Sequence, residues 1–457
     1  MYYFLFFVCI ISRLITSIYY IEDIDSLRFA LSLSDEFNIT KFQPHFPGYP
    51  VFCFLGYLFY KLTGSIALSF SLIGGISTFL IIYFSLQMFK INIKSKESIF
   101  LILIIFFNPM IWILSNRYMP DLLGLSIVVG AIYYIYYSEY KNSCYWGLCL
   151  AGLSLGIRLS YFPILLIPVF LTIIRKDTLL SFVSISIGVL IWLIPFIGDQ
   201  GFVNLLEIGQ KHTVGHFNDY GGTIITESNL FHRLKFFIHT IWSDGLGGYW
   251  IDRHWISLII SICLLSIILK TDLRIKVDYK VKIILASCAL YFIWIFLFQN
   301  VIYKSRHVLP LVYFLIILTS YLSLFQKNYF IKSLFILSII FLTTNIISDN
   351  KKGTAIHHLS NHLNNEDNDL IISNSLVNFY LKSTGLKSDY INIEKFDLTH
   401  SYEQINSAKR IKIIGKYSNL FTKQYVETYD TSFYHNPYMN RMWSEIPIYT
   451  LKNKNEY

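Results

Sequence analysis

Charge is what this sequence has least of. Lys, Arg, Asp and Glu make up 15% of its 457 residues, against roughly a quarter in a soluble globular protein. Apolar residues reach 54%. That balance excludes a water-soluble fold. Cysteine patterning is missing as well. Cys9, Cys53, Cys144, Cys149, Cys263 and Cys288 all lie in apolar stretches with no CxxC pair, so neither a disulfide framework nor a zinc knuckle is encoded. The net charge of +9 comes from Lys and Arg scattered between apolar runs. With no massed basic segment, nucleic acid is excluded as a partner.

What is present is a series of apolar runs near the ~20 residues that cross a bilayer. Eleven are expected to be spans: 2–20, 65–89, 98–115, 120–138, 144–157, 159–174, 179–197, 255–270, 282–299, 308–325 and 329–347. The first has no basic residue before it and no small-residue cleavage site after Ser17, so it reads as a retained helix and not as a signal peptide. The fold class is therefore an α-helical polytopic membrane protein.

Alternation of eleven spans puts thirteen basic residues on one side: Lys90, Lys94, Lys96, Lys141, Arg175, Lys176, Lys270, Arg274, Lys276, Lys280, Lys282, Lys327 and Lys332. By the positive-inside rule that side is the cytoplasm. The outer face then carries the loops 21–64 and 198–254, the turns near Arg117 and Arg158, the turn 300–307 and the tail. All twelve histidines, from His45 to His435, fall there, so the site chemistry is expected on the extracytoplasmic or luminal face.

After residue 347 the composition turns to Asn, Asp, Lys and Ser. Residues 1–347 read as the transmembrane domain and 348–457 as a small outer α/β domain. Asp369–Ser373, Tyr390–Ile393 and Arg410–Gly415 have the pattern of short buried strands, with helices near 375–383 and 400–408. The simplest role for the tail is a passive cap, because it contains no phosphate loop or catalytic cluster.

The first outer loop carries the most chemistry. Glu22, Asp23 and Asp25 directly follow the first span, where an acid has a large desolvation cost to offset. Leu27, Ala30 and Leu31 repeat at i, i+3, i+4, which predicts a surface amphipathic helix beginning at Asp25 or Ser26. Either residue is a candidate N-cap, and a helix N-terminus also favours an ionised carboxylate. The loop continues Gln43-Pro-His-Phe-Pro-Gly-Tyr-Pro50.

The acid-rich loop, Asp25-Ser-Leu-Arg28-Phe-Ala and Gln43-Pro-His45-Phe-Pro-Gly-Tyr49-Pro together resemble the GT-C superfamily of membrane glycosyltransferases, which includes protein O-mannosyltransferases and the lipid A aminoarabinose transferase. Arg117-Tyr-Met-Pro-Asp121 matches as well, and further similarity appears at Gly156-Ile-Arg158-Leu-Ser-Tyr-Phe-Pro163, His212-Thr-Val-Gly-His216-Phe-Asn-Asp-Tyr-Gly-Gly222 and Lys304-Ser-Arg306-His307-Val-Leu-Pro310. The resemblance implies a GT-C-type fold and a sugar donor on polyprenyl phosphate. It also implies Asp25 as the catalytic aspartate and Asp121 as the second acid. Many relatives have Asp-Glu where this chain has Asp25-Ser26, which leaves Glu22 and Asp23 as alternative acids. Arg28, Tyr49 and His216, in the matching segments, are the expected acceptor- or sugar-binding residues.

The residue types suit that chemistry independently. An anionic leaving group at the membrane surface needs a cation or several N–H donors. Arg306 is the foremost candidate, because guanidinium binds phosphate as a fork and stays charged near lipid. His307, Lys304, Arg158 and His45 follow. Asp121, next to Pro120, is also explained by N-capping or by pairing with Arg117. The i, i+4 pairs His212/His216 and His358/His362 could face a metal. Without a patterned carboxylate or cysteine nearby, a solvated helix is the preferred reading and no metal is assigned. The expected activity is transfer of a sugar from a polyprenyl-phosphate donor to a glycan, lipid or protein acceptor, with membrane lipid as the surrounding partner. A polymerase of lipid-linked glycans or a flippase-type transporter is the alternative. A transporter, however, usually places its ionisable groups at mid-membrane depth.

Overall fold

The computed structural model describes residues 1–269, 278–325, 328–366, 369–396, 404–405, 407–417, 421 and 425–453. The chain divides into two compact units. One comprises Met1–Tyr19 and Arg28–Ser348, the other Tyr20–Leu27 and Asp349–Tyr457.

The first unit is helical. Among its described residues, five stretches are long and apolar enough to cross a membrane: Ile66–Met88, Ser143–Arg175, Thr178–Gln200, Tyr279–Phe298 and Ser305–Leu324. A sixth, Tyr329–Asn364, draws its apolar part from the helix Tyr329–Asn350. Thr178–Gln200 exposes Leu179, Phe182, Ile187, Ile191 and Ile194. Their three- to five-residue spacing makes an exposed apolar stripe of the kind that faces lipid. The protein is an integral membrane protein.

Among the described residues six helices are long and apolar enough to span by length and composition, or seven if the bent pair Lys96–Phe106 and Pro109–Asn116 is one span, so the expected eleven is not confirmed. The physical causes are local. Pro109 has no N–H to continue the preceding helix, and Asn108 restarts the ladder by accepting a hydrogen bond from Ile111 N at 3.0 Å. The two halves meet at 56°. The expected boundary between runs 144–157 and 159–174 coincides with Arg158, where the backbone leaves helical values (φ −151°, ψ 84°). The first helix ends at Ile15, and Pro50–Thr63, Asp121–Tyr137 and Ile256–Leu269 are likewise shorter than a full span. The basic positions Lys270, Arg274, Lys276 and Lys327 lie outside the described residues.

The second unit contains a five-stranded mixed sheet. Its strands are β1 (Leu370–Ser373), β2 (Asp389–Asn392), β3 (Ile411–Ile414), β4 (Tyr425–Tyr434) and β5 (Glu445–Asn453), in the order β2-β1-β3-β5-β4. β1 runs parallel to β2 and β3, with Ile372 opposite both Ile391 and Ile413. β5 is antiparallel to β3 and β4. All four residues of β1 are buried, as befits a parallel strand covered on both faces. The helix Ser375–Ser383 makes the crossover to β2, and Asn374 caps it by accepting from Val377 N at 2.9 Å. Leu370, Ile372, Ile391, Ile411, Ile413 and Phe421 form the core of this α/β layer.

The three strands and the helix expected at 375–383 are present. β2 is displaced by one residue at each end, because Ile393 already belongs to a 3-10 turn. The helical pattern at 400–408 falls largely outside the described residues.

Candidate active site

The acids of the first outer loop have separate duties. Glu22, Asp23 and Asp25 are all buried. The helix Ile24–Ser34 starts after Asp23, whose Oδ1 accepts from Ser26 N at 2.8 Å. Asp23 is therefore the N-cap, in place of Asp25 or Ser26. Its other oxygen accepts from Asn440 Nδ2 at 3.0 Å. Asp25 sits in the first helical turn.

In the first unit a second constellation forms around Asp121, which is wholly buried at the start of the helix Asp121–Ile132. Arg158 Nη2 lies 3.0 Å from Asp121 Oδ1, and Arg306 Nε lies 3.7 Å from Oδ2. Tyr161 donates its hydroxyl to Oδ1 at 3.4 Å. The expected pairing of Asp121 with Arg117 is thus replaced by Arg158 and Arg306, and its side chain caps no backbone N–H. Arg158 also donates to Tyr49 Oη at 3.4 Å and to His307 Nδ1 at 3.3 Å. Guanidinium has no acceptor, so His307 Nδ1 carries the lone pair, and the ring is neutral with its proton on Nε2. His307 therefore offers an N–H and not a charge. Tyr291 donates to the His307 carbonyl at 2.8 Å, which fixes the ring's backbone anchor.

Two glycines permit this geometry. A Cβ on Gly124, one turn after Asp121, would lie 2.7 Å from Arg158 Cβ, so only a residue without one lets the two helices bring carboxylate and guanidinium together. In the Gln43–Pro50 loop, Gly48 has φ +84°, and a Cβ there would lie 2.5 Å from the Phe196 ring. That turn delivers His45 and Tyr49. His45 Nε2 and the Tyr49 hydroxyl share a 3.1 Å hydrogen bond.

From His45 a row of imidazoles continues, with His212 stacked at 5.7 Å and His216 at 6.2 Å beyond it. His216 Nε2 donates to the Phe298 carbonyl at 2.9 Å. Burial pushes His216 below the ordinary histidine value, and nearby Lys304 adds to the effect. It is thus neutral, with one nitrogen committed to a helix end. Among the described residues no three His, Cys, Asp or Glu are placed to hold a metal ion. Arg28, half-buried, lies over the Phe42 ring at 5.2 Å, and Lys304 is half-buried at the turn into Ser305–Val308.

The turn that presents Arg306 is anchored by a residue the sequence did not single out. A helix leaves its last four carbonyls without intrahelical donors. At the end of Tyr279–Phe298, Arg233 donates to the carbonyls of Phe296 and Gln299 (3.1 Å each) and of Gly222 (2.6 Å). Ile224 N donates to Leu297 O at 2.8 Å, and His216 takes Phe298. Tyr161, Tyr291 and Gly124 were equally unmarked, although Tyr161 stands three residues after Arg158.

A separate cavity of about 540 Å³ is lined by Asp35, Glu36, Asn38, Asp199, Gln200 and Asn204 among others. No Lys or Arg lines it.

No protein-family model matches the sequence. No curated protein matches it either. Solved structures do. ArnT from Cupriavidus metallidurans bound to undecaprenyl phosphate superposes with a TM-score of 0.54 at 10% identity, covering 98% of this chain and 97% of that chain. The fold is ArnT-like. The apo state of the same protein gives 0.53 at 9% identity with the same coverage. An end-to-end match of this kind bears out the fold that the outer-loop motifs implied. At such identity the match establishes architecture, and the chemistry rests on the side chains.

Proposed function

We propose that this protein is an inverting membrane glycosyltransferase that moves one sugar from a polyprenyl-phosphate donor to an acceptor on the extracytoplasmic or luminal side. The observation that carries the reading is the buried convergence of Arg158, Arg306 and His307 around Asp121, in a chain of ArnT-like fold. Two guanidiniums and an imidazole N–H suit a departing phosphate, which leaves as a stable anion and needs charge stabilisation more than protonation. Asp121, held between two arginines, orients them. Asp25 is the acceptor's base. Lys304 and His45 flank the phosphate group, while Arg28, Tyr49 and His216 belong to the sugar and acceptor. The acceptor is a glycan, lipid or protein.

The test is incubation of purified protein with a panel of radiolabelled polyprenyl-phosphate monosaccharides. Turnover of one donor with release of polyprenyl phosphate is expected. Lengthening of a lipid-linked oligosaccharide without monosaccharide consumption would replace the reading with a polymerase.

Gly124→Ala should part Arg158 from Asp121 and lower turnover by up to about 100-fold, the scale of an ångström-sized misplacement. Gly198→Ala, where an added methyl meets nothing, should leave turnover unchanged. Equal activity of both variants, measured at matched protein levels, would remove the Arg158–Asp121 pair from the site.

The eleven-span topology belongs to the same proposal, with a cytoplasmic N-terminus and an external tail. Reporter fusions after residues 95 and 277 should report the cytoplasm, and a fusion after 400 the outside. An external signal at 277 would overturn the orientation.

A further inference from the structure

Four consecutive residues of the first outer loop are each held by a different residue of the chain's C-terminal part, all within the second unit. The Tyr20 hydroxyl bonds to Asn350, lying 3.0 Å from its Oδ1. Tyr380 donates its hydroxyl to the Ile21 carbonyl at 2.7 Å. Thr354 donates to the Glu22 carbonyl at 3.1 Å, and Asn440 donates to the Asp23 carboxylate at 3.0 Å. Asn440 is itself fixed, since its Oδ1 accepts from Met442 N at 3.0 Å and its carbonyl accepts from His435 Nε2 at 2.8 Å. His435 Nδ1 in turn accepts from Ala355 N at 3.0 Å, at the start of the helix Ala355–Asn364. Thr354, His435 and Asn440 are buried, so water does not compete for these bonds.

We propose that Asn440 is a positioning residue that acts through Asp23 to fix the helical turn bearing Asp25, which makes the C-terminal domain part of the catalytic apparatus and not a passive cap. The chain of effect is short. Asn440 holds one oxygen of Asp23, and the other oxygen caps Ser26 N, so the orientation of the cap sets the first turn of Ile24–Ser34. The catalytic consequence rests on the proposed role of Asp25, whereas the clamp itself does not.

The test uses full-length protein. Asn440→Asp sets a second carboxylate against Asp23, and Asp23→Asn sets an amide against the Asn440 amide. In the double variant the new amide at position 23 keeps an oxygen for Ser26 N and donates to the new carboxylate at position 440. That carboxylate still accepts from Met442 N. Each single variant is expected to speed hydrogen exchange at Ile24–Leu27 by about tenfold. Each should also lower kcat by about tenfold or more, with donor affinity within about twofold of wild type. The double variant should recover both to within about threefold. Unchanged exchange in Asn440→Asp, or a double variant no better than the worse single, would overturn the clamp. Raised exchange with unchanged kcat would overturn the positioning role. If Asn440→Asp does not accumulate, Tyr380→Phe, which deletes the hydroxyl that bonds to Ile21, gives the same readouts. Wild-type turnover in Asp25→Asn would instead refute the role of Asp25 as base, on which the catalytic consequence rests, and leave the exchange result standing.

Discussion

Asp25→Asn is expected to lower kcat by about 100-fold or more while donor affinity stays within about twofold, general-base contributions being of that order. Direct displacement needs one carboxylate to take the proton from the acceptor hydroxyl as it attacks the anomeric carbon opposite the phosphate, with no glycosyl-enzyme between. Of the three acids after the first span, Asp23 is committed on both oxygens, to Ser26 N and to Asn440. Its replacement should show first as loss of stability. Glu22 is held at its carbonyl by Thr354, and it precedes the helix. Asp25 alone lies within the first helical turn, where amide substitution keeps the side chain's size and removes the basic oxygen. Initial rates and donor-binding isotherms on equal amounts of folded protein check the prediction. Full turnover in Asp25→Asn with loss in Glu22→Gln would move the base upstream, and a product of retained anomeric configuration would exclude direct displacement by any acid.

Sequence reading reached the residues of the Asp121 constellation but not their partners. Asp121, Arg158, Arg306 and His307 were each legible as ionisable groups at the ends of apolar runs, a placement with a cost that function explains. Nothing local says that Asp121 pairs with Arg158 in place of Arg117, four residues away. That choice is made by the close approach at Gly124 and by the break in the helix at Arg158. Arg233 was illegible for the same reason, because its partners are carbonyls, which carry no sequence signature.

The cap of the helix Ile24–Ser34, expected at Asp25 or Ser26, lies two or three residues earlier, at Asp23. Three neighbouring acids and a serine offer several capping registers, and the distant Asn440 helps settle which one forms. In the tail, the short strands with continuous Ile and Leu announced themselves. The hairpin of β4 and β5 did not, because β4 is mostly Tyr, Thr, Ser and Glu and buries only Tyr425 fully. Span number was the weakest reading. Apolar runs fix where helices lie, yet the bend at Pro109 and the short helix Tyr2–Ile15 show that a run need not be one complete crossing.

Arg306→Ala is expected to weaken donor binding by ~2 kcal/mol or more, about 30-fold, and Arg306→Lys to recover only part of that, because lysine keeps the charge and loses the planar fork. Loss of affinity alone would not separate a phosphate ligand from a residue that merely shapes the site. Asp121 supplies the separation. It is wholly buried, and Arg158 and Arg306 are each about 5% exposed, so solvent does little to screen the pair. Asp121→Asn keeps the shape and removes the counter-charge, leaving Arg158 buried beside a neutral amide. A broken buried pair of this kind costs ~3 kcal/mol or more, and the melting temperature should fall accordingly. A donor phosphate bound at the guanidiniums restores negative charge to the same place. Ligand stabilisation grows with affinity, so a polyprenyl-phosphate sugar should raise the melting temperature of Asp121→Asn by more than it raises that of the wild type, and should barely move Arg306→Ala. Equal upshifts in all three proteins would show that the donor phosphate binds elsewhere and that the Arg158–Asp121–Arg306 cluster is a structural ion-pair network.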